Sequence, residues 1–383
     1  MKEKRTLMFL TGSRGEWGYI RPLIRLCEEN TDFDYELCVT NMHLLPSFGS
    51  SVREIERDGF TIHHRLHMAF DGYSHVTMVK SLGVLIMSLA DVVAARRPDW
   101  IVLAGDRGEQ LAGAMVGAFN YIPIAHIQAG ELSGNIDGMT RHAIGKYAHM
   151  HLCSNKNAFD RVIRLGEQPE RVHNVGAPQL DEIVNGEVTS KTELAEKYKL
   201  DLSRDYVLVV QHPVTEDYAM ASDQIRETIL ALNEMDRQKI VILPNNDAGS
   251  HLIQDGIQQH RDGNYHVISN LPRADYLGLL KNAACLIGNS SSGILEAPTF
   301  KVPVVNLGRR QAGRMQAENI INAEFAQATI KDALHEALAE AFQLKVRKTC
   351  QNPYGDGRSS RRILELFRST VIDDELLTKV LTY

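Results

Sequence analysis

Short apolar runs and amphipathic stretches alternate along the first half of the chain. Apolar runs at residues 7–10, 35–39, 61–66, 100–104, 122–127 and 149–153 predict strands. Helical spacing at 18–29, 51–58, 76–96, 109–119, 140–147 and 158–165 predicts helices between them. Several runs lack period-2 alternation, the mark of strands covered on both faces. Strand and helix in strict alternation predict a parallel sheet with helices on either side. The pattern then resets. Residues 186–204 are polar, charged and rich in turn formers, and read as a linker. A second series follows, with strands expected at 206–210, 239–243, 266–268, 285–287 and 302–307, and helices such as 222–235 and 275–283. The expectation is two doubly wound α/β domains, 1–187 and 188–357, with a helical tail over 358–383. Doubly wound sheets bind ligands beyond the carboxyl ends of their strands. Chemistry is therefore expected in the loops that follow strands, in a cleft between the domains.

Composition narrows the class. The 383 residues carry 42 Lys and Arg against 48 Asp and Glu, a formal charge of −6, which speaks against a polyanion or membrane-surface binder. With 44% hydrophobic and 23% charged residues the chain has the balance of a globular protein. No apolar run is expected to reach the roughly 18 residues that span a bilayer. The apolar run after the MKEKRT start is too short for a signal-peptide core. Five scattered cysteines without a C-x-x-C read as reduced, buried thiols of a cytoplasmic protein, with no metal site and no cofactor. Fifteen histidines hint at polar chemistry without locating it.

Six post-strand loops carry the candidate chemistry. Gly12-Ser13-Arg14-Gly15 follows the first strand. Free amides at a helix start favour an anion, and Arg14 suits a phosphate; an ordinary strand-to-helix turn is the plain alternative. Gly105-Asp106-Arg107 pairs an acid with a base at a strand end, although Asp106 is also a natural N-cap. The loop running from His126 through Gln128, Glu131 and Asp137 to Arg141 and His142 is dense in polar groups. If Glu131 and Asp137 both face the cleft beside Asp106, their charges push each other's pKa values apart, which supplies an acid and a base. Asp137 has a capping alternative. His212 stands at a strand end before Pro213. Ser290, Ser291 and Ser292 precede a helix containing Glu296, an anion cradle with an acceptor for ribose hydroxyls. The loop over 306–314 carries Arg309, Arg310 and Arg314 for a diphosphate. No P-loop and no dinucleotide fingerprint is present.

Together these segments resemble the hydrolysing nucleotide-sugar 2-epimerases, the UDP-N-acetylglucosamine 2-epimerases of sialic and legionaminic acid pathways. The resemblance is carried by GSRGEWGYIRPL, NMHLL, GDRGE and HIQAGELSGNIDGMTRHAI in the first half. The second half adds HPVT, PNNDAGS, GNSSSGILEAP and GRRQAGR. It implies two Rossmann-like domains of the glycosyltransferase-B kind, with a final helix returning to the first. It implies a UDP-sugar substrate, no nucleic-acid or membrane partner, and a homodimer or homotetramer. The implied reaction removes the C2 proton as the nucleoside diphosphate leaves C1, then rehydrates the 2-acetamidoglucal to a free manno sugar. By motif, Asp106, Asp137 and His212 match catalytic positions. Arg14, Arg107, Ser290, Ser291, Glu296 and Arg310 match nucleotide-binding positions. Asn245 matches a nucleotide contact, and His43 is expected near the sugar. Several relatives carry a catalytic Glu where this chain has Gln128, and an amide is no proton-transfer base. Glu131 is expected to take that role, with Gln128 hydrogen-bonding the sugar. Non-hydrolysing epimerases, glycosyltransferases of the same architecture and a nucleotide-sugar sensor are the competing readings. Gly15 after Arg14, where non-hydrolysing enzymes usually carry Pro, favours the hydrolysing branch.

Overall fold

A computed structural model describes residues 4–46, 51–70, 75–132, 136–186, 188–214, 219–244, 249–269 and 271–382. The chain forms two compact units, Met1–Asp181 with Tyr354–Tyr383, and Glu182–Pro353. Composition put the first crossing at 187/188; the structure puts it at Asp181/Glu182, and the return at Pro353/Tyr354.

The first unit holds seven strands: β1 (Arg5–Thr11), β2 (Phe33–Thr40), β3 (His64–Leu66), β4 (Trp100–Ala104), β5 (Ile124–Ile127), β6 (Met150–Cys153) and β7 (Val172–Asn174). Helices α1 (Arg14–Glu28), α2 (Val52–Arg57), α3 (His75–Arg96), α4 (Gly108–Phe119), α5 (Ile136–Tyr147) and α6 (Lys156–Arg164) alternate with them. The sheet is parallel, in the order β3-β2-β1-β4-β5-β6-β7. Both faces of β1 are buried, which explains its unalternating sequence. Leu7 and Phe9 pack with Ile20, Leu23 and Ile24 of α1, while Met8 and Leu10 pack with Leu85 and Leu89 of α3. The helix Ser359–Ser369 belongs to this core through Ile363, Leu364 and Phe367, whose ring lies 5.2 Å from that of Trp100. Its first amides, Ser359 N and Ser360 N, donate to the Asp181 carboxylate at 2.9 and 2.7 Å. A remote side chain thus caps this helix.

One expectation changes in α3. By length and composition, Val76–Arg96 is apolar enough to cross a bilayer. Its Ser81, Leu85, Leu89 and Val93 stripe nevertheless faces the protein, while Val76, Met78, Val79 and Met87 are exposed.

The second unit holds β8 (Tyr206–Val210), β9 (Gln238–Ile242), β10 (Tyr265–Ile268), β11 (Cys285–Gly288), β12 (Val304–Leu307) and β13 (Ile320–Ala323), parallel in the order β10-β9-β8-β11-β12-β13. Here too β8 is buried on both faces, Val207 and Val209 to one core and Tyr206, Leu208 and Val210 to the other. The expected linker contains a helix, Lys191–Tyr198, capped by the Ser190 side chain and anchored by Leu194.

In each sheet the strand order reverses once among neighbours, between β1 and β4 and between β8 and β11. Such reversals open a crevice at the carboxyl ends of the two strands. Residues 12–13 and 105–107 follow the first pair, and 211–214 and 289–291 follow the second.

Candidate active site

At the β1/β4 reversal, the first loop differs from its expected use. Gly12 N and Ser13 N donate to Glu16 Oε2 at 2.5 and 3.1 Å, and Ser13 completes a capping box. The amides expected to hold an external anion are taken by a carboxylate of the chain itself. Arg14 points outward and pairs with Glu54 at 2.8 Å.

Behind this loop lies a second buried carboxylate, Glu109. Its Oε1 accepts from Asn41 Nδ2 at 2.6 Å and from Arg107 Nε at 3.2 Å. A Cβ on Gly12 would stand 2.5 Å from the same oxygen, so the close approach requires glycine there. Glu109 therefore ties together the loops after β2 and β4 and packs against the loop after β1. Burial, reinforced by the Glu109 charge, pushes the Glu16 carboxyl up to about 8. Burial works against the charge on Arg107, but the neighbouring acidic groups, Glu109 foremost, outweigh it and hold the guanidinium charged. Neither Glu16 nor Glu109 was assigned a role from sequence, because each reads as an ordinary first-turn helix glutamate.

Asp106 follows Gly105, whose φ of +90° suits glycine. Arg141, on α5, donates to the Asp106 carboxylate and, through its other Nη, to the Gln128 carbonyl at 2.7 Å. Arg141 is 4% exposed at its side chain and Asp106 20%, so the acid reaches solvent while its partner does not. Arg141 lies four residues after Asp137, a spacing that puts both on one face of α5. Gln128 adopts a left-handed φ of +65°, and among the described residues no group accepts from its buried Nε2.

Glu131 is bound to groups at the end of β6. It is 4% exposed, and its Oε1 accepts from Ser154 Oγ at 2.6 Å and from Asn155 Nδ2. These bonds hold its loop to the end of β6. His43 is fully buried between Thr11 Oγ1 at 3.0 Å and Ser51 Oγ at 2.8 Å. Burial pulls its pKa down to about 4, so the ring is neutral.

At the β8/β11 reversal, Asn289 clamps His212 through the backbone. His212 N donates to Asn289 Oδ1 at 2.7 Å, and Asn289 Nδ2 donates to His212 O at 2.8 Å. Arg310 and Gln311 in turn donate to Asn289 O at 3.1 and 3.0 Å. Burial, with Arg310 nearby, lowers the His212 pKa to about 4, and its buried Nδ1 has no hydrogen-bond partner among the described residues. Gly288 has φ +133°, and a Cβ there would meet Val210 O at 2.0 Å; glycine lets the serine loop pass the end of β8.

Ser290 Oγ accepts from Ser292 N at 3.3 Å and from Ser292 Oγ at 3.0 Å, and Ser292 Oγ also bonds Tyr276 OH. Ser291 is the N-cap of the turn that follows. The helix expected to carry Glu296 is two single turns, Ser292–Leu295 and Ala297–Phe300, broken at Glu296 where Pro298 lacks an amide hydrogen. Turns this short have little macrodipole, so the hydroxyls and Arg310 carry more of any anion binding than the notion of a helix start implied. Glu296 Oε1 accepts from Arg273 at 3.4 Å, while its buried Oε2 has no hydrogen-bond partner among the described residues. Asn245 lies outside the described residues. Among the described residues, no group of three His, Cys, Asp or Glu could hold a metal ion.

The comparisons with known proteins agree with this layout. The profile of a family described as UDP-N-acetylglucosamine 2-epimerase matches residues 25–368. A UDP-N,N'-diacetylbacillosamine 2-epimerase (hydrolyzing) of Legionella pneumophila is 34% identical over 99% of this chain and 100% of its own length. A GDP/UDP-N,N'-diacetylbacillosamine 2-epimerase (hydrolyzing) of Campylobacter jejuni is 32% identical over 84% and 85%. A solved structure of the UDP-GlcNAc 2-epimerase of Neisseria meningitidis, bound to UDP-GlcNAc, matches in fold with a TM-score of 0.83 over 95% of this chain and 100% of that one, at 17% identity. Profile, full-length identity and glycosyltransferase-B-like fold agree: this chain belongs to the UDP-N-acetylglucosamine 2-epimerase family, alongside its hydrolysing enzymes.

Proposed function

We propose that this chain is a hydrolysing 2-epimerase of a UDP-linked 2,4-diacetamido-2,4,6-trideoxyglucose, with UDP-GlcNAc as the alternative substrate. The identity to relatives named for the diacetylbacillosamine sugar, over the whole length of one of them, supports that choice. The observation that carries the reaction type is the arrangement at the two strand reversals. One presents Asp106, oriented by Arg141; the other presents His212, clamped by Asn289, with the serine hydroxyls and Arg310 nearby.

The chemistry has two steps. A carboxylate takes the proton from C2 while the C1–O bond breaks and UDP departs with the bonding electrons, leaving a C1=C2 alkene. Water then adds its oxygen at C1, and C2 is protonated on the opposite face, giving a free manno sugar. Asp106 and Asp137 are the proton-transfer groups, since each is a partly exposed carboxylate of the first unit. Glu131 holds the loop through Ser154 and Asn155, and Gln128 donates its Nε2 to the sugar. The C2 hydrogen is barely acidic, so charge growing on the departing diphosphate must be met in the transition state. Ser290, Ser291, Arg310 and the neutral His212 ring provide donors for it, with Asn245, Arg14 and Arg107 as further nucleotide contacts. His43 supports the sugar side from beneath. Each well-placed acid or base contributes about 10²–10⁴-fold.

The reading includes a cytoplasmic setting in sialic- or legionaminic-type acid synthesis, supported by five buried free thiols and the relatives' chemistry. It also includes a homo-oligomer. The outward stripe of α3 carries Val76, Gly83, Met87 and Ala94, with exposed Lys80 and Asp91 three turns apart on the same face. Antiparallel pairing with a second copy's α3 about a two-fold axis sets each Lys80 opposite an Asp91 and covers the apolar stripe.

Incubating each UDP-sugar with enzyme in D₂O tests the reaction. Free UDP and a manno sugar deuterated at C2 are expected. UDP kept on the sugar, or no deuterium at C2, overturns the hydrolytic reading.

A further inference from the structure

Two histidines beside the Asp106 loop have a common problem that the reaction does not explain. His126 on β5 and His151 on β6 are direct partners in the sheet register, so their side chains leave the same face, one strand spacing apart. Both are fully buried. His126 Nε2 bonds the Gly105 carbonyl at 2.7 Å. A carbonyl oxygen only accepts, so His126 must carry its hydrogen on Nε2. His151 Nε2 bonds Glu167 Oε2 at 3.1 Å. Burial opposes charge on Glu167, but bonds from His151 and Lys379 prevail and hold it ionised, with a pKa of about 2. His151 must therefore also donate from Nε2. Burial lowers both imidazole pKa values, that of His126 to about 3, and so works against a second proton on either ring.

The remaining atom of each ring is a bare acceptor. His126 Nδ1 and His151 Nδ1 are buried, and among the described residues no group donates to either. Both rings line one pocket, together with Arg141, His142, Lys146 and Glu167. Its inner space is about 10 Å³, on the measure where one water needs roughly 10–15 Å³. Two such acceptors, on residues paired across adjacent strands and lining a water-sized space, suit a ligand with two hydrogens to give.

We infer that this pocket holds a single structural water that donates to His126 Nδ1 and His151 Nδ1, and that His126 thereby acts as a positioning residue for Asp106. The water locks His126 in its Nε2–H form. That form holds the Gly105 carbonyl, and Gly105 precedes Asp106. Arg141 lines the same pocket and holds the Asp106 carboxylate. The acid is thus fixed from its backbone by His126 and from its side chain by Arg141. Glu167, bound by Lys146 and Lys379 at 3.0 and 2.6 Å, anchors the far end through His151. The ammonium of Lys379 also donates to Gly145 O and Ala148 O, so the C-terminal segment is part of the support.

The inference about Asp106 rests on the proposed reaction; the water and the tautomers do not. Three measurements separate them. A crystal structure at about 2 Å or better should place one water within roughly 3 Å of both Nδ1 atoms; a pocket without it overturns the water. Nitrogen-15 NMR of the histidine rings should find both as Nε2–H tautomers from pH 6 to 8; an Nδ1–H or charged ring at either position overturns the lock. In kinetics, His126→Phe keeps the ring shape but cannot bond Gly105. It should lower kcat on the order of 10²-fold, with KM and UDP affinity within about twofold. His126→Gln, whose amide both donates and accepts, should recover most of that loss. Equal loss in both variants, or a loss confined to KM, overturns the positioning role. Full turnover in Asp106→Asn would instead sink the catalytic reading while leaving the water in place.

Discussion

Arg141 joins the Asp106 carboxylate to the Gln128 carbonyl, one Nη to each, and so binds the loop after β4 to the loop after β5. Neither bond is visible from sequence spacing, because the three residues come from three separate segments. A lysine at 141 keeps the charge but cannot fork to both acceptors. Arg141→Lys should lower kcat by about 10²-fold with little change in KM, as a misplaced reacting group does. Steady-state rates at saturating substrate check this. A rise in KM alone would mean that Arg141 serves binding.

Glu16 makes stability depend on pH with a definite sign. Its folded pKa is raised from 4.5 to about 8, so between those values the folded state holds a proton that the unfolded state releases. Stability from this group is therefore full below about pH 4.5, falls as pH rises, and is lost once pH passes 8. Glu16→Gln keeps an acceptor for Gly12 N and Ser13 N but has no charge to bury. Urea unfolding should find the variant gaining on the wild type steadily from pH 5 to pH 8. Parallel curves over that range would refute the shift.

His212 is held neutral above about pH 4 by burial and Arg310. As a hydrogen-bond donor to the leaving diphosphate it is removed by His212→Ala, which should lower kcat by about 10²–10³-fold, the cost of losing one such donor. The shape of the kcat/KM profile between pH 5.5 and 9 should not change. Loss of an acidic limb in the variant would show that the ring titrates in that range.

The α3 face predicts self-association. Met87→Glu should shift the protein to monomer in light scattering, with the fold kept. Lys80→Asp should weaken the assembly, and Lys80→Asp with Asp91→Lys should restore it. If all three variants keep the wild-type mass, α3 does not form the contact.

How much was legible follows from burial. The runs at 100–104 and 206–210 match β4 and β8 because strands buried on both faces must be apolar throughout. The edge strands β7 and β13 escaped notice, since Val172–Asn174 and Ile320–Ala323 are short and half covered. The helix Lys191–Tyr198 read as linker because Leu194 is its one buried residue, although Ser190 followed by Glu193 was a usable capping signal. Edges and surface helices leave weak hydrophobic signatures.

The site divides in the same way. Sequence alone put each candidate motif in a loop after a strand, and connectivity fixes which strand end each motif follows. It also determined the acidic, histidine and serine inventory. What tertiary structure alone decided is how those groups are employed. Glu109 takes Asn41, Glu131 is held by Ser154 and Asn155, and Arg141 takes up Asp106. A side chain's protonation and availability depend on the partners and the burial it meets across the fold, and those partners lie tens of residues away in the chain.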